Sequence, residues 1–118
     1  MKNRVNEVMK ALVDIDAGIC GFKTSASAGS GDDQRVVFEI ASDCEKIRAL
    51  AAALKEREPI DAYMEIHPAG EGVLMQTVRS TLTGCCAGCA VPAGLFKAMQ
   101  VAAGLALPKD IIMRLTRE

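Results

Sequence analysis

Five cysteines and a single histidine carry most of the reactive chemistry of this 118-residue chain. Three of the thiols crowd together in Gly84-Cys85-Cys86-Ala87-Gly88-Cys89, a density that side-chain packing does not explain. The spacing of Cys86 and Cys89 lets one loop supply two sulfurs to one metal, each at about 2.3 Å for zinc. Cys20 stands before Gly21, and Cys44 follows Ser42-Asp43. Alone, each of these two reads as a small buried residue as readily as a ligand. With the loop they complete a set of four sulfurs, in which either Cys85 or Cys86 is the fourth ligand and the other is the spare. His67, next to Pro68, reads as a solvated loop residue and as an alternative fourth ligand. No nucleophile motif surrounds any serine, so His67 does not make a hydrolytic triad. Gly29-Ser30-Gly31 is too short for a phosphate loop.

The elements that must position these thiols follow from periodicity. Val5, Val8, Met9 and Leu12 suit a short amphipathic helix over 3–11. From Val13 the period becomes two: Val13, Ile15, Ala17 and Ile19 share one face of a first strand. Beyond Cys20-Gly21, Thr24, Ala26 and Ala28 mark a second strand, and Val36, Phe38 and Ile40 a third, separated by the turn Gly29-Ser30-Gly31-Asp32-Asp33. Ser42-Asp43-Cys44-Glu45 reads as a capping box opening a helix with the stripe Ile47, Leu50, Ala51 and Leu54, stopped by Pro59. A short strand over 60–66 and a helix over 71–83 come next. Pro92 then opens a helix that buries Leu95, Phe96, Met99 and Ala102. Ile111, Met113 and Leu115 alternate with Ile112 and Arg114 and suggest a last strand over 110–116.

The fold this implies is α+β in one domain over 1–118: an antiparallel sheet of three strands, joined by the last one, with the two amphipathic helices on one face. The stripes of both helices are expected to pack on Val36, Phe38 and Ile40. The thiols then fall at a strand turn (Cys20) and at two helix starts (Cys44 and Cys89), where amides and dipole favour the thiolate, the form that binds metal or attacks.

Composition narrows the class. The formal net charge is −1, aromatics are 3% and tryptophan is absent. That balance lacks the basic stripe and stacking surfaces of a nucleic-acid binder. An odd number of cysteines with no apolar leader run argues against a secreted disulfide scaffold and for a cytoplasmic protein with reduced thiols and no membrane association.

Two resemblances add to this reading. Residues 18–22, Ser42-Asp43-Cys44, and the stretch from Cys89-Ala90-Val91-Pro92 through Lys97-Ala98 to Gly104-Leu-Ala-Leu-Pro-Lys-Asp110 resemble a family of small uncharacterised cysteine-bearing proteins, over most of the chain. The order of features is also similar to the NifU/IscU-type iron-sulfur scaffold, whose three cluster cysteines lie at a strand turn and two helix starts. That resemblance assigns Cys20, Cys44 and Cys89 to the three positions. The chain departs from the scaffold in having Phe22 where the family has Asp, Gly88 where it has His, an additional Cys-Cys-x-x-Cys group, and a strand pattern at its end.

The expected function is therefore a metal-binding module in which Cys20, Cys44 and Cys89, with Cys86 or Cys85, hold an iron-sulfur cluster or zinc, serving cluster assembly or electron transfer with iron-sulfur or sulfur-transfer proteins as partners. A second expectation is a thiol carrier: Cys89-Ala90-Val91-Pro92 resembles the Cys-Pro-x-Pro site of TusA-type sulfur carriers, with Cys89 bearing a persulfide and Cys86 resolving it. A third is an interaction domain whose thiols are incidental.

Overall fold

A computed structural model describes residues 8–67 and 70–118. Within them β1 (Met9–Asp16), β2 (Lys23–Ser30) and β3 (Arg35–Ser42) form an antiparallel meander, and the two-residue β4 (Ile60–Asp61) completes the order β1-β2-β3-β4. The helices are α1 (Glu45–Lys55), α2 (Ala62–Glu65), α3 (Val73–Thr81) and α4 (Val91–Ala102), with a 3-10 turn at Gly84–Gly88 ahead of α4. The architecture is α+β, as the hydrophobic periods require.

The register puts Val13 opposite Ala26 and Ala26 opposite Ile40, so the inward residues of the three long strands share one face. Both amphipathic helices lie on it. α1 buries Ile47, Leu50 and Leu54 over β3, while α4 packs on β1 and β2. The division of labour differs from the expected common platform of Val36, Phe38 and Ile40, and residue size explains it. The inward face of β2 is built from Thr24, Ala26 and Ala28, whose short side chains leave α4 room to sit close. On α4 the approach point is Gly94, where an added Cβ would stand 2.5 Å from Ile15 Cδ1. Phe96, expected in the core, is only half-buried at the edge of α4.

Four local expectations are corrected. Residues 3–7 of the proposed first helix lie outside the described residues, and Met9, Lys10 and Ala11 belong to β1, where pairing with Ser30, Gly29 and Ala28 extends the period-two pattern. The first strand ends at Asp16, leaving Ile19 fully exposed in the following turn. The short strand over 60–66 is strand only at Ile60–Asp61, because the Asp61 carboxylate accepts from the amides of Tyr63 and Met64 and turns the chain into α2. Residues 110–116 form no strand and join no sheet; the fourth strand is β4.

The stretch Gly84–Ala102 is by length and composition apolar enough to cross a membrane. It is nevertheless two elements joined at extended Cys89, and Val91, Leu95 and Met99 are buried in the protein core.

The two edges of the sheet are unlike. Beyond β4, the outward groups of Phe38 are taken by side chains: its N–H donates to Glu58 Oε2 at 2.9 Å, and its carbonyl accepts from Lys55 Nζ. Lys55 also pairs with Glu39 at 3.0 Å and Glu58 at 3.3 Å. Partial burial works against its charge, but these two carboxylates hold its pKa above the ordinary lysine value. Among the described residues β1 has no such cover.

α3 is anchored by a borrowed cap. Gly72 offers no side chain, and the buried carboxylate of Glu65 accepts instead from the amides of Val73 at 2.7 Å and Leu74 at 2.8 Å. Glu65→Ala is expected to lower stability by about 1–2 kcal/mol in urea unfolding, the usual cost of a lost N-terminal cap. Glu65→Gln, which keeps one accepting oxygen, should recover part of the loss.

Candidate functional site

Three chain segments bring cysteines to one end of the sheet. The first is the turn between β1 and β2. Gly18 (φ 90°) and Gly21 (φ 77°) both occupy the left-handed region that favours glycine, and Gly21 N–H donates to Gly18 O at 2.9 Å. Cys20 lies between them and is exposed at the tip.

The second segment leaves the same end of the sheet. Ser42, the last residue of β3, pairs with Thr24 near the start of β2, and their hydroxyls hydrogen-bond at 2.7 Å. Asp43 N–H then donates to Lys23 O at 3.2 Å, which holds the chain beside the β1–β2 turn. Cys44 itself is the N-cap of α1, with extended backbone and no capping bond from its side chain. The capping box does not form, because the Ser42 hydroxyl is still part of the strand ladder. That hydroxyl accepts the Cys44 N–H at 3.1 Å instead. The Cys44 side chain is left half-buried against the core.

The third segment is the 3-10 turn and the start of α4. Cys86 N–H donates to Thr83 O and Cys89 N–H to Cys86 O, both at 3.2 Å. This tight winding turns Cys86 and Cys89 toward the core and leaves Cys85 exposed. Because Gly94 rests on Ile15, near the end of β1, the first turn of α4 carries Cys89 to the sheet end that holds Cys20 and Cys44.

The electrostatics of Cys89 register this convergence. Burial pushes its thiol above the ordinary value of 9.0, the Val91 N–H that donates to Sγ at 3.5 Å pulls the other way, and Cys20, Cys44 and Cys86 each add to the rise. Cys20, Cys44 and Cys86 are thus within electrostatic reach of Cys89, and neither Cys85 nor His67 is among the groups acting on it. His67 follows α2 and is exposed. The upward direction corrects the expectation that the helix start lowers this pKa: desolvation outweighs the single amide that reaches the sulfur.

Among the described residues no group of three or more His, Cys, Asp or Glu side chains is set to hold a metal ion. The four thiols are neighbours without being drawn into one coordination sphere. A tetrahedral zinc site with bonds near 2.3 Å would need its sulfurs about 3.8 Å apart.

Beside Cys89 lies a groove of about 890 Å³ whose walls include Met75, Val78, Phe96 and Ile111, with Arg79 and Lys97 as its charged residues. Met75 and Phe96 carry no sequence signal for this role, since apolar residues at helical spacing read as core. Gly94 does carry one, an isolated glycine inside a helical pattern, which marks close backbone approach.

Fold and site define a small α+β protein with cysteines on three segments near one end of its sheet. The chain belongs to DUF6951, a family of unknown function, which it matches over residues 11–115. No curated protein and no solved structure matches the chain, so the likeness to NifU/IscU-type scaffolds gains no support from relatives.

The raised Cys89 pKa fixes a pH dependence. In the unfolded chain the thiol ionises near 9.0, earlier than in the folded protein, so the folded state retains its proton longer and loses stability as pH rises past that value. The melting temperature of the metal-free, reduced protein is expected to be flat on this account below pH 8 and to fall above pH 9. Cys89→Ser should flatten the alkaline fall.

Proposed function

We propose that this protein is a small metal-binding module in which Cys20, Cys44, Cys86 and Cys89 hold an iron-sulfur cluster, with zinc as the other occupant such a donor set accepts. The observation that carries this reading is the delivery of four thiols to one end of the sheet by three segments distant in sequence. Four like-charged thiolates crowded together repel one another, and a bound cation relieves that repulsion. A cluster is favoured over one zinc ion because the glycines beside the sulfurs, Gly21 and Gly88, let backbone amides approach it. Cys85, exposed on the outer side of the 3-10 turn, is the spare thiol.

When bound, a cluster supplies one-electron transfer or a transferable cofactor. The chain's own contribution is the set of four thiolates, a side formed by the half-buried Cys44, Cys86 and Cys89 packed against the core, and the Val91 N–H directed at Cys89 Sγ. Partners on this reading are iron-sulfur or sulfur-transfer proteins in the cytoplasm. A persulfide carrier built on Cys89 is less well supported, since that chemistry needs a thiolate near neutral pH and burial opposes it here.

Anaerobic purification with an absorption spectrum and Fe, Zn and sulfide analysis tests the proposal. Bound iron with stoichiometric sulfide is expected. Replacing any one of Cys20, Cys44, Cys86 or Cys89 by Ser should remove most of the metal, and Cys85→Ser should leave it in place. Zinc without sulfide would select the mononuclear site. Protein that stays metal-free after anaerobic reconstitution, with all five thiols titratable, would sink both.

A further inference from the structure

The C-terminal segment beyond Pro108 gathers four exposed large apolar side chains within five residues. Residues 106–118 adopt no regular structure. Ile112 is 73% exposed and Leu115 92%, with Ile111 and Met113 more than half exposed between and beside them. Such side chains gain nothing from water, and their alternation with Arg114 is the pattern of a strand that has found no sheet.

Among the described residues the β1 edge of the sheet is open. Ala17 N–H donates to Phe22 O at 3.3 Å, directly across the β1–β2 ladder. Alternation along an antiparallel pair then turns the backbone groups of Ile15, Val13, Ala11 and Met9 toward β2 and those of Asp16, Asp14, Leu12 and Lys10 outward. Among the described residues no strand lies beyond them. The opposite edge is closed at Phe38 by Glu58 and Lys55 and then by β4, so an added strand finds its backbone partners at β1. Leu12, 80% exposed, offers an apolar side chain on the helix-free face of this strand.

We propose that residues 110–115 of one copy add as a strand to the β1 edge of a second copy, giving a dimer by reciprocal strand exchange. Charge favours the pairing modestly: β1 carries Asp14 and Asp16 against Lys10, and the tail carries Lys109, Arg114 and Arg117 against Asp110 and Glu118. Position makes the partner a second copy. Within one chain Ile111 lies at the groove with Phe96 and Lys97, whereas α4 meets β1 through Gly94 on another face. The tail therefore does not pair with its own β1 in this structure. Two-fold exchange satisfies both open edges at once and leaves none for further addition.

Sedimentation equilibrium of the full chain, metal-free and loaded, tests this independently of the metal reading. A dimer is expected in both states. The double variant Ile112→Pro/Met113→Pro removes two backbone donors from an exposed, irregular segment and should return the monomer with an unchanged far-ultraviolet spectrum. Hydrogen exchange supplies the second measurement: the amides of Lys10, Leu12, Asp14 and Asp16 should be protected in the wild type and exchange at least tenfold faster in the variant. A synthetic peptide of residues 108–118, added in excess, should dissociate the dimer while preserving that protection. A full chain monomeric at every concentration, a dimer indifferent to both prolines and peptide, or edge amides that exchange freely in the dimer would each overturn the proposal.

Discussion

The close approach of α4 to β1 at Gly94 is the contact on which the rest of the arrangement depends. With any side chain at that position the helix would have to rise off Ile15 or displace it. The first turn of α4, and Cys89 with it, would then move away from the end of the sheet. The same approach requires small residues beneath the helix, which Ala26 and Ala28 supply. A glycine in a helix and alanines in a strand are each unfavourable by local propensity. Their joint presence is explained by the helix-to-sheet distance they permit.

That distance has a second effect. Since α4 occupies the surface over β1 and β2, α1 is displaced toward β3, where its last turn brings Lys55 and the following Glu58 to the outward groups of Phe38. Sheet order and helix placement thus make the two edges chemically different: one is stoppered by a lysine and a glutamate, and the other presents free backbone and an exposed leucine. The cysteine end and the open edge meet at Asp16, where β1 gives way to the turn bearing Cys20.

Periodicity made much of this legible beforehand. The three long strands, α1, α3 and α4 follow hydrophobic spacing because each buries one face, and burial is what such spacing encodes. The grouping of Cys20, Cys44 and Cys89 at chain reversals was also readable, since turns and helix starts have their own residue signatures. What the pattern left open was set by tertiary contacts. Which of Cys85 and Cys86 faces the core depends on which way a 3-10 turn winds, and adjacent positions in sequence do not reveal it. The Ser42 hydroxyl was claimed by Thr24 from across the sheet, a competitor invisible to a local capping rule. The direction of the Cys89 shift came from burial, which outweighs the helix start. Residues 110–116 show the converse: an alternating pattern states a preference for pairing without naming a partner in the same chain.

The turn at Cys20 sets an order among otherwise equivalent sulfurs. Cys44, Cys86 and Cys89 are backed by the core, while Cys20 projects into solvent between two glycines, next to a fully exposed Ile19. On the proposed four-thiol reading, Cys20 would be the ligand most open to solvent, while the other three would be held against the core, so the four sulfurs would differ in how easily reagents in water reach them.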